Sequence, residues 1–407
     1  MEGEEKRGSM LTAVLCFIMI FTGLGFVSSP RSLYVVPVTE ALEIERSLYS
    51  FVDSLRYVAT AVVNLFFGIL VARFGARRLI GVGFLSLALS MLCFALADGV
   101  WLLYLAGVLM GVGFSFTATT MVGYVVGRAY PKNRGTVMGA VLAANGLGGA
   151  LSTPFVSSMI HGEIGYRGSA LAVGAAVLLV GIVTVILFRE VRGPATAKAT
   201  PAPTAEATAD EVRTGHVRFI LLGAVIFVTG FCLQGIQGVA AAHMSDVGLG
   251  EDLIATILSV HMFVLTFSKF MTGFLYDRLG LRLTVLINMT GAVGVSLLLA
   301  LLVPGAVGGV MGFGYALLSA MALPLETVML PIYAREFFGQ SGYASRLGII
   351  VSLNTAGYAL GAPFLNLVFD MTGTYLAGFL VTAVLMGGVL VLIQCILPRK
   401  NGYVDVA

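Results

Sequence analysis

Charged residues are scarce in this sequence. Asp, Glu, Lys and Arg make up 11% of its 407 residues, whereas a soluble domain carries roughly 25%. That scarcity excludes a soluble globular protein. The formal net charge is only +3, and the basic residues are scattered between apolar segments rather than gathered in a patch, so no nucleic-acid partner is expected.

Cysteine is also sparse, and its placement excludes several kinds of site. Cys16, Cys93, Cys232 and Cys395 all fall within apolar segments and show no metal-ligand spacing. We interpret them as packing residues and predict no disulfide, no metal site and no cofactor. The sequence also lacks a nucleophile–base pair, a metal-ligand cluster and a phosphate-binding loop, so an enzyme is not expected.

Apolar residues and glycine are present in excess. Hydrophobic residues make up 58% of the chain, 51 residues are glycine, and the mean hydropathy is +0.97. Apolar runs of about 20 residues, each long enough to cross a bilayer, recur along the chain, and glycine lets helices approach closely in lipid. The sequence therefore predicts an all-α membrane protein with twelve transmembrane helices, at residues 11–37, 48–72, 79–98, 101–128, 135–160, 168–188, 218–243, 253–276, 283–303, 307–333, 347–369 and 376–397.

The basic residues between these spans predict the orientation. Along the chain, every second connection is rich in Lys and Arg, whereas the connections between these hold almost only Arg46 and Arg167. Because cytoplasmic loops carry the excess of Lys and Arg, we expect both termini in the cytoplasm. The first apolar run is longer than a signal-peptide core and is interpreted as a retained span. The basic residues that fall in alternate connections are Arg73, Arg77, Arg78, Arg128, Lys132, Arg134, Arg189, Arg192, Arg278, Arg282, Arg335, Arg346, Arg399 and Lys400.

The chain divides into two similar halves. A stretch rich in Ala, Pro and Thr, "GPATAKATPAPTAEATADEVRTG", predicts a flexible cytoplasmic linker at 190–217, between bundles at 1–189 and 218–407. "GILVARFGARR" from Gly68 corresponds to "GFLYDRLGLR" from Gly273, and "NGLGGALSTP" from Asn145 corresponds to "NTAGYALGAP" from Asn354. The duplication predicts two pseudo-symmetric six-helix bundles with a midplane site between them, which is typical of secondary transporters.

The loop motif after the second and eighth spans resembles that of the major facilitator superfamily, and the resemblance covers nearly the whole chain. It implies the major facilitator fold, alternating access and a monomer. It also implies that these loops form a gate latch at the cytoplasmic side, with Arg73, Arg77, Asp277, Arg278 and Arg282 as its residues. Ala72 stands where the first copy usually has Asp, which predicts a weaker latch in that half.

Ionisable side chains inside the predicted spans are the candidate functional groups, because each costs roughly 2.5–3.5 kcal/mol at mid-membrane unless it is paired or used. Lys269 could meet an anionic substrate or form a salt bridge with Glu326. Glu326 could carry a proton or hold Lys269 or Arg335 in place, and His261 could carry a proton or only pack. Arg31 could attract anions or reach the outer interface. Asp53 and Arg56 lie three residues apart on one helix face and are expected to pair.

A narrower resemblance connects some of these groups to the monocarboxylate transporter family. "SPRSLYVVP" is similar to a Pro-Lys/Arg-Ser stretch in that family's first span, Lys269 matches the basic position of its eighth span, and "LETVM" at 325–329 is similar to a stretch of its tenth. The resemblance implies that Arg31 and Lys269 engage a small carboxylate that moves with a proton. Leu265 stands where that family has its eighth-span Asp, and Lys replaces Arg at 269, which removes the bidentate fork.

Bacterial oxalate–formate exchangers are also similar, but they carry a second basic residue in the eleventh span. The corresponding "GIIVSLNTAGYALGAPF" has none, which favours a monocarboxylate. We therefore predict a secondary active transporter for a small organic anion, coupled to a proton carried by His261 or Glu326, in the plasma (inner) membrane of a bacterium. The predicted substrate-binding residues are Lys269, Arg31, Arg56, Asn145, Tyr124, His261, Asn354 and Tyr358.

Two alternatives remain at this stage. An exporter of hydrophobic or cationic compounds would share the fold, but exporters of the superfamily usually carry a Gly-Pro dipeptide in the fifth span, and "NGLGGALSTP" has none. A ligand sensor of the same fold would bind without transport, and only a flux measurement separates it from a carrier.

Overall fold

The computed structural model of the protein describes residues 2–44, 46–130, 133–160, 162–190, 209–339 and 342–397. Within these ranges the chain is almost entirely helical and contains no strand. Most of the predicted linker therefore lies outside the described residues, as do Lys132, Arg192, Arg399 and Lys400, and the predicted bundle boundaries stay predictions.

The N-terminal half begins with a span whose helix type changes twice. It continues from an α-helix through a π-helical segment, Phe21–Ser28, and a 3₁₀ segment, Ser29–Tyr34, in which Pro30 cannot donate a backbone hydrogen bond. The α-helices of this half are α1 Glu2–Ile20, α2 Val35–Ala41, α3 Arg46–Leu65, α4 Phe67–Phe74, α5 Ala76–Leu96, α6 Val100–Thr117, α7 Thr119–Ala129, α8 Arg134–Ile160 and α9 Gly165–Leu187.

The C-terminal half contains fewer and longer helices. A 3₁₀ segment, Leu323–Glu326, interrupts the span shared by two of them. The α-helices of this half are α10 Ala209–Asp246, α11 Glu251–Ala300, α12 Gly305–Ala322, α13 Met329–Phe338, α14 Tyr343–Thr372 and α15 Leu376–Ile396.

The number of membrane-crossing helices agrees with the predicted twelve. Within the described ranges, ten helices are long and apolar enough to cross a membrane, and the bent pair α3 and α4, at 62° to each other, makes an eleventh span. The helix α11 counts as two of the predicted spans, because Gly280 (φ 80°, ψ 173°) interrupts it. A positive φ of this size suits glycine, which has no Cβ to clash with the backbone.

The two halves meet at two places. Helix α8 packs against α11, and the bent span formed by α3 and α4 packs against α14. Glycine allows the close approach that packing in lipid requires. A Cβ on Gly135 would lie 2.6 Å from the Gly273 carbonyl oxygen, and a Cβ on Gly68 would lie 2.6 Å from the Ser345 backbone. Gly68 and Gly273 open the two copies of the repeated loop motif, so the duplication places equivalent glycines at equivalent contacts between the halves.

Polar contacts join the two halves at one end of the bundle. We call it the basic end, defined by Arg73, Arg128, Arg278 and Arg335. Here the Arg335 guanidinium donates to the Gly127 carbonyl at 2.6 Å, and the Tyr343 hydroxyl donates to the Gly123 carbonyl at 3.0 Å.

Candidate functional site

A cavity of about 250 Å³ lies between the two halves. Apolar side chains such as Phe114 and Leu265 form part of its wall. The remaining wall is polar. Its polar lining includes the N-terminal residues Arg56, Tyr57, Thr60, Asn64 and Asn145 and the C-terminal residues Gln234, Gln237, Lys269, Glu326, Asn354 and Tyr358.

Lys269 reaches this cavity from α11, on the part of the helix that packs against α8. The whole residue is 3% exposed. Its backbone lies against Gly139 of the other half, where only a glycine leaves room. Among the described residues, no carboxylate lies within 4.0 Å of the Lys269 ammonium. A charge held this far from water favours an anion that enters the cavity.

Glu326 lines the same cavity from the 3₁₀ segment that interrupts the tenth span. The helix break between α12 and α13 carries this carboxyl group to the cavity wall. Its Oε1 atom is buried without a hydrogen-bond partner, and the Tyr358 hydroxyl interacts with the carboxyl group. The Tyr358 ring meets the Tyr57 ring edge-on, with 5.8 Å between their centres. Glu326 and Lys269 therefore face one cavity without forming a direct salt bridge.

Asp53 joins two arginines in the N-terminal half. The Arg56 Nε donates to the Asp53 Oδ1 at 3.0 Å, and the Arg31 Nη1 donates to the same oxygen. The expected pairing of Asp53 with Arg56 is thus confirmed, and Arg31 is an additional partner. The Arg56 guanidinium lies over the Tyr57 ring, 4.1 Å from its centre, and faces the cavity.

Arg31 itself lies outside the cavity lining. It is buried beside Tyr34 and Tyr49 at a separate void of about 10 Å³, and its Nε and Nη2 atoms have no hydrogen-bond partner. In this conformation Arg31 is buried and does not line the cavity. Its predicted part in substrate binding stays a prediction.

His261 lies behind the cavity wall rather than in it. Its ring is 1% exposed and stacks on Tyr315, with 5.6 Å between ring centres. The Nε2 atom lies 3.2 Å from the side-chain nitrogen of Gln237, which does line the cavity, and the Nδ1 atom lies 3.3 Å from the Ala316 carbonyl oxygen. His261 therefore does not line the cavity itself but contacts Gln237, which does.

Tyr124 lines a different cavity, of about 560 Å³, at the basic end, together with Ala72, Arg128 and Tyr343. Its ring lies 4.5 Å from the Arg128 guanidinium.

The structure thus brings five of the eight predicted substrate-binding residues into the central cavity and leaves Arg31, Tyr124 and His261 outside it. The five are Lys269, Arg56, Asn145, Asn354 and Tyr358.

Gln234 and Gln237 were not among the predicted substrate-binding residues. A pair of amides three residues apart in an apolar span shares one helix face. That spacing was the available sequence signal for a polar binding surface, but hydrogen bonding between helices explains such amides equally well.

The predicted latch residues differ in what they contact. Asp277 accepts hydrogen bonds from the Gly135 N–H at 3.2 Å and from the Thr136 N–H and hydroxyl at 2.7 Å each, which places it at the N-terminus of α8 in the other half. A carboxylate is favourable at that position because it satisfies unpaired N–H groups and complements the helix dipole.

The predicted latch arginines make contacts inside their own halves. Arg77 donates to the Val185 carbonyl at 2.7 Å, and Arg282 donates to the Gln394 carbonyl at 2.8 Å. Arg73 lies over Phe74, and Arg278 lies over Phe274. A further contact between the halves was not anticipated: Arg134 of α8 pairs with Glu336 and donates to the Tyr276 hydroxyl.

The comparisons with known proteins agree with this architecture. The chain matches the family model of the Major Facilitator Superfamily over residues 10–331, and it therefore belongs to the major facilitator superfamily of membrane transporters. Human Monocarboxylate transporter 11 is 27% identical over 326 residues, which cover 77% of this chain and 67% of the relative. The uncharacterized MFS-type transporter YcxA of Bacillus subtilis (strain 168) is 24% identical over 402 residues, 92% of each chain.

A crystal structure of the major facilitator superfamily transporter FucP, in the outward conformation, has a TM-score of 0.71 to this protein at 16% identity. The match covers 96% of this chain and 100% of that one. At this identity the similarity establishes the fold alone. The predicted superfamily is confirmed, and the relatives include a monocarboxylate transporter.

Proposed function

We propose that this protein is a secondary active transporter that moves a small organic anion, a monocarboxylate, together with a proton by alternating access. One observation carries the proposal. Lys269 lies buried at the wall of the cavity between the halves, with no carboxylate within 4.0 Å among the described residues.

The charges near the cavity support a monoanion. Lys269, Arg56 and Arg31 are positive, and Asp53 and Glu326 supply two carboxylates, so an ionised Glu326 leaves one positive charge without a counter-charge. A single carboxylate would neutralise it. Because an unpaired charge is costlier inside a membrane than an ion pair, pairing of the carboxylate with Lys269 would let the loaded cavity reorient with less electrostatic penalty than the empty one, while the accompanying proton keeps the net charge the same.

The direction of opening follows from the same proposal. With the basic end in the cytoplasm and the protein in a bacterial plasma (inner) membrane, the structure corresponds to a form closed towards the cytoplasm. The latch at Asp277 holds this form, and rocking of the halves would open the other. We propose a monomer as the working unit, with the carboxylate and the proton as its ligands.

A thermal-shift screen of the purified protein in detergent tests the substrate class. The ligands are acetate, lactate and pyruvate, with neutral sugars, amino acids and cationic drugs for comparison. A ligand at about a hundred times its dissociation constant stabilises the folded state by roughly 2.7 kcal/mol. We expect a shift with a carboxylate that is lost in Lys269→Gln and partly kept in Lys269→Arg, which retains the charge.

Arg167→Gln is the matched control, because Arg167 is an exposed basic residue outside the cavity lining whose contacts include Asp98 and the Ala97 carbonyl. It should leave the carboxylate shift unchanged. Shifts only with cationic or apolar compounds would contradict the proposal and favour an exporter.

A further inference from the structure

A chain of hydrogen bonds connects a buried histidine to the cavity. It runs from the Ala316 carbonyl on α12 through His261 on α11 to Gln237 on α10. Only the last member, Gln237, lines the cavity. His261 is 1% exposed, so a ligand in the cavity is affected by its protonation mainly through the Gln237 side chain.

The chemistry of the first bond determines the others. A backbone carbonyl oxygen can only accept, so the His261 Nδ1 must carry a hydrogen to bond Ala316. In a neutral imidazole the Nε2 then holds a lone pair and accepts. The Gln237 NH₂ group must therefore donate to it, and the amide oxygen is left on the side away from His261. The neutral histidine thus leaves an acceptor facing the cavity.

We propose that His261 controls which end of the Gln237 amide faces the cavity, and that Gln237 is a specificity-determining residue for the carboxylate. A protonated imidazole donates from both nitrogens, so Nε2 would then require the amide oxygen as its acceptor. Rotation of the amide by about 180° provides this and turns the NH₂ group towards the cavity. The inference rests on the proposed function and assigns the proton a structural effect.

The switch has the sign that symport requires. A carboxylate only accepts hydrogen bonds, so an acceptor at Gln237 opposes it and a donor at Gln237 binds it. The anion is therefore held best when His261 carries the proton, and by linkage the bound anion favours protonation to the same degree.

The groups facing His261 support the coupling. From α12 it meets Tyr315 and the Ala316 carbonyl, and from α10 it meets Gln237, which does not titrate. The charged group that acts on it along its own helix is Lys269, which faces Glu326 across the cavity. A carboxylate beside Lys269 would offset the repulsion between the Lys269 ammonium and an imidazolium at His261.

The composition of the chain makes the switch observable without any substrate. The chain has four histidines and four glutamines, so selective ¹⁵N labelling of glutamine side chains gives few signals. We expect the Gln237 amide signals, assigned with Gln237→Leu, to shift between pH 5 and 8.5 in step with His261. In His261→Phe, which keeps a ring against Tyr315, they should stay constant. Gln394, bonded to Arg282 outside the cavity, is the internal control.

Binding of lactate, which stays ionised across this range, tests the consequence. We expect about tenfold tighter binding at pH 5 than at pH 8, the change given by one hydrogen bond to a charged group. Gln237→Leu and His261→Phe should each lose this pH dependence. His243→Phe should keep it, because His243 is buried against Tyr375 and Phe379 away from the cavity. If His261→Phe does not fold, His261→Gln replaces it.

The outcomes separate the two proposals. Gln237 amide signals that do not move while His261 titrates would overturn the switch, regardless of the result of the lactate-binding measurement. A pH dependence that persists in Gln237→Leu would also overturn it and would assign the proton effect to Glu326. Moving amide signals without carboxylate binding at either pH would keep the switch and refute the proposed substrate class.

Discussion

The buried charges of this protein differ in how they are neutralised. Arg31 and Arg56 share the Asp53 carboxylate inside the N-terminal half, whereas Lys269 faces a cavity between the halves. The first arrangement satisfies charge within the protein, and the second leaves a place for a ligand. Lys269 is therefore the binding candidate without a salt-bridge partner among the described residues, although Arg56 of the ion cluster also lines the cavity.

Asp53→Asn tests the ion cluster. Removing one partner of a fully buried pair costs about 3–5 kcal/mol. The Asp53 side chain is 42% exposed, so we expect a smaller loss, about 1–3 kcal/mol as for a hydrogen bond between charged groups. The free energy of unfolding, or the shift in thermal midpoint, measures it. The double variant Asp53→Asn/Arg31→Gln should recover part of the loss, because one unpaired buried charge is removed.

Asp98→Asn provides the matched control. Asp98 also pairs with an arginine, Arg167, at 2.8 Å, but their side chains are 84% and 49% exposed, and such pairs contribute about 0–1 kcal/mol. Equal losses from Asp53→Asn and Asp98→Asn would contradict the assignment of Asp53 to an ion cluster with two largely buried arginines.

At the scale of single residues, the sequence predicts which residues carry functional groups better than it predicts the direction in which their side chains lie. Lys269 and Arg56 were expected at the cavity and lie there. Arg31 was expected to face the substrate, yet it packs behind Asp53. A π-helical segment and a 3₁₀ segment precede and include Arg31, and these have turns different from the 3.6 residues of an α-helix. Helical periodicity carried on from α1 therefore cannot predict the face on which Arg31 lies.

At the scale of elements, the two copies of the repeated loop motif make different contacts, as the predicted weaker latch in the first copy requires. Asp277 bonds the first turn of α8 across the two halves. Ala72 occupies the equivalent position in the other copy and shares a cavity with Gly342 and Tyr343 at the start of α14, but it has no carboxylate to offer. The sequence reveals this difference directly, because it compares two copies of one motif. The Arg134–Glu336 pair joins residues far apart in the chain, and no local pattern predicts it.

Substitutions at the two positions should move the basic end in opposite directions. Asp277→Ala removes three hydrogen bonds to the N-terminus of α8 and should raise the population open at the basic end at least about tenfold. Ala72→Asp should lower that population, because a carboxylate is favourable at the N-terminus of α14. Electron–electron distance measurements between spin labels at Arg78 and Leu279, both exposed, report the opening.

Arg282→Gln controls for a change of charge in the same loop. Its contacts with Gln394 lie within one half, so the distance distribution should not change. An unchanged distribution in Asp277→Ala would show that Asp277 is not part of the latch.

At the scale of the whole molecule, duplication explains the architecture. Hydropathy and the repeated motifs predict twelve spans and two halves, because the bilayer sets the helix length. The same signals do not locate the breaks at Phe66, Ala118 and Leu323–Glu326. These breaks depend on packing between helices, and one of them brings Glu326 to the cavity.

Uptake by proteoliposomes tests the central claim most directly, because it measures transport rather than binding. The purified protein is reconstituted, and uptake of radiolabelled lactate is followed with and without an inwardly directed proton gradient, in the native protein, Lys269→Gln and Lys269→Arg. We predict uptake that the gradient accelerates, that Lys269→Gln reduces at least about tenfold, and that Lys269→Arg partly retains. Native uptake rates in Lys269→Gln, from protein that folds and reconstitutes normally, would contradict the account.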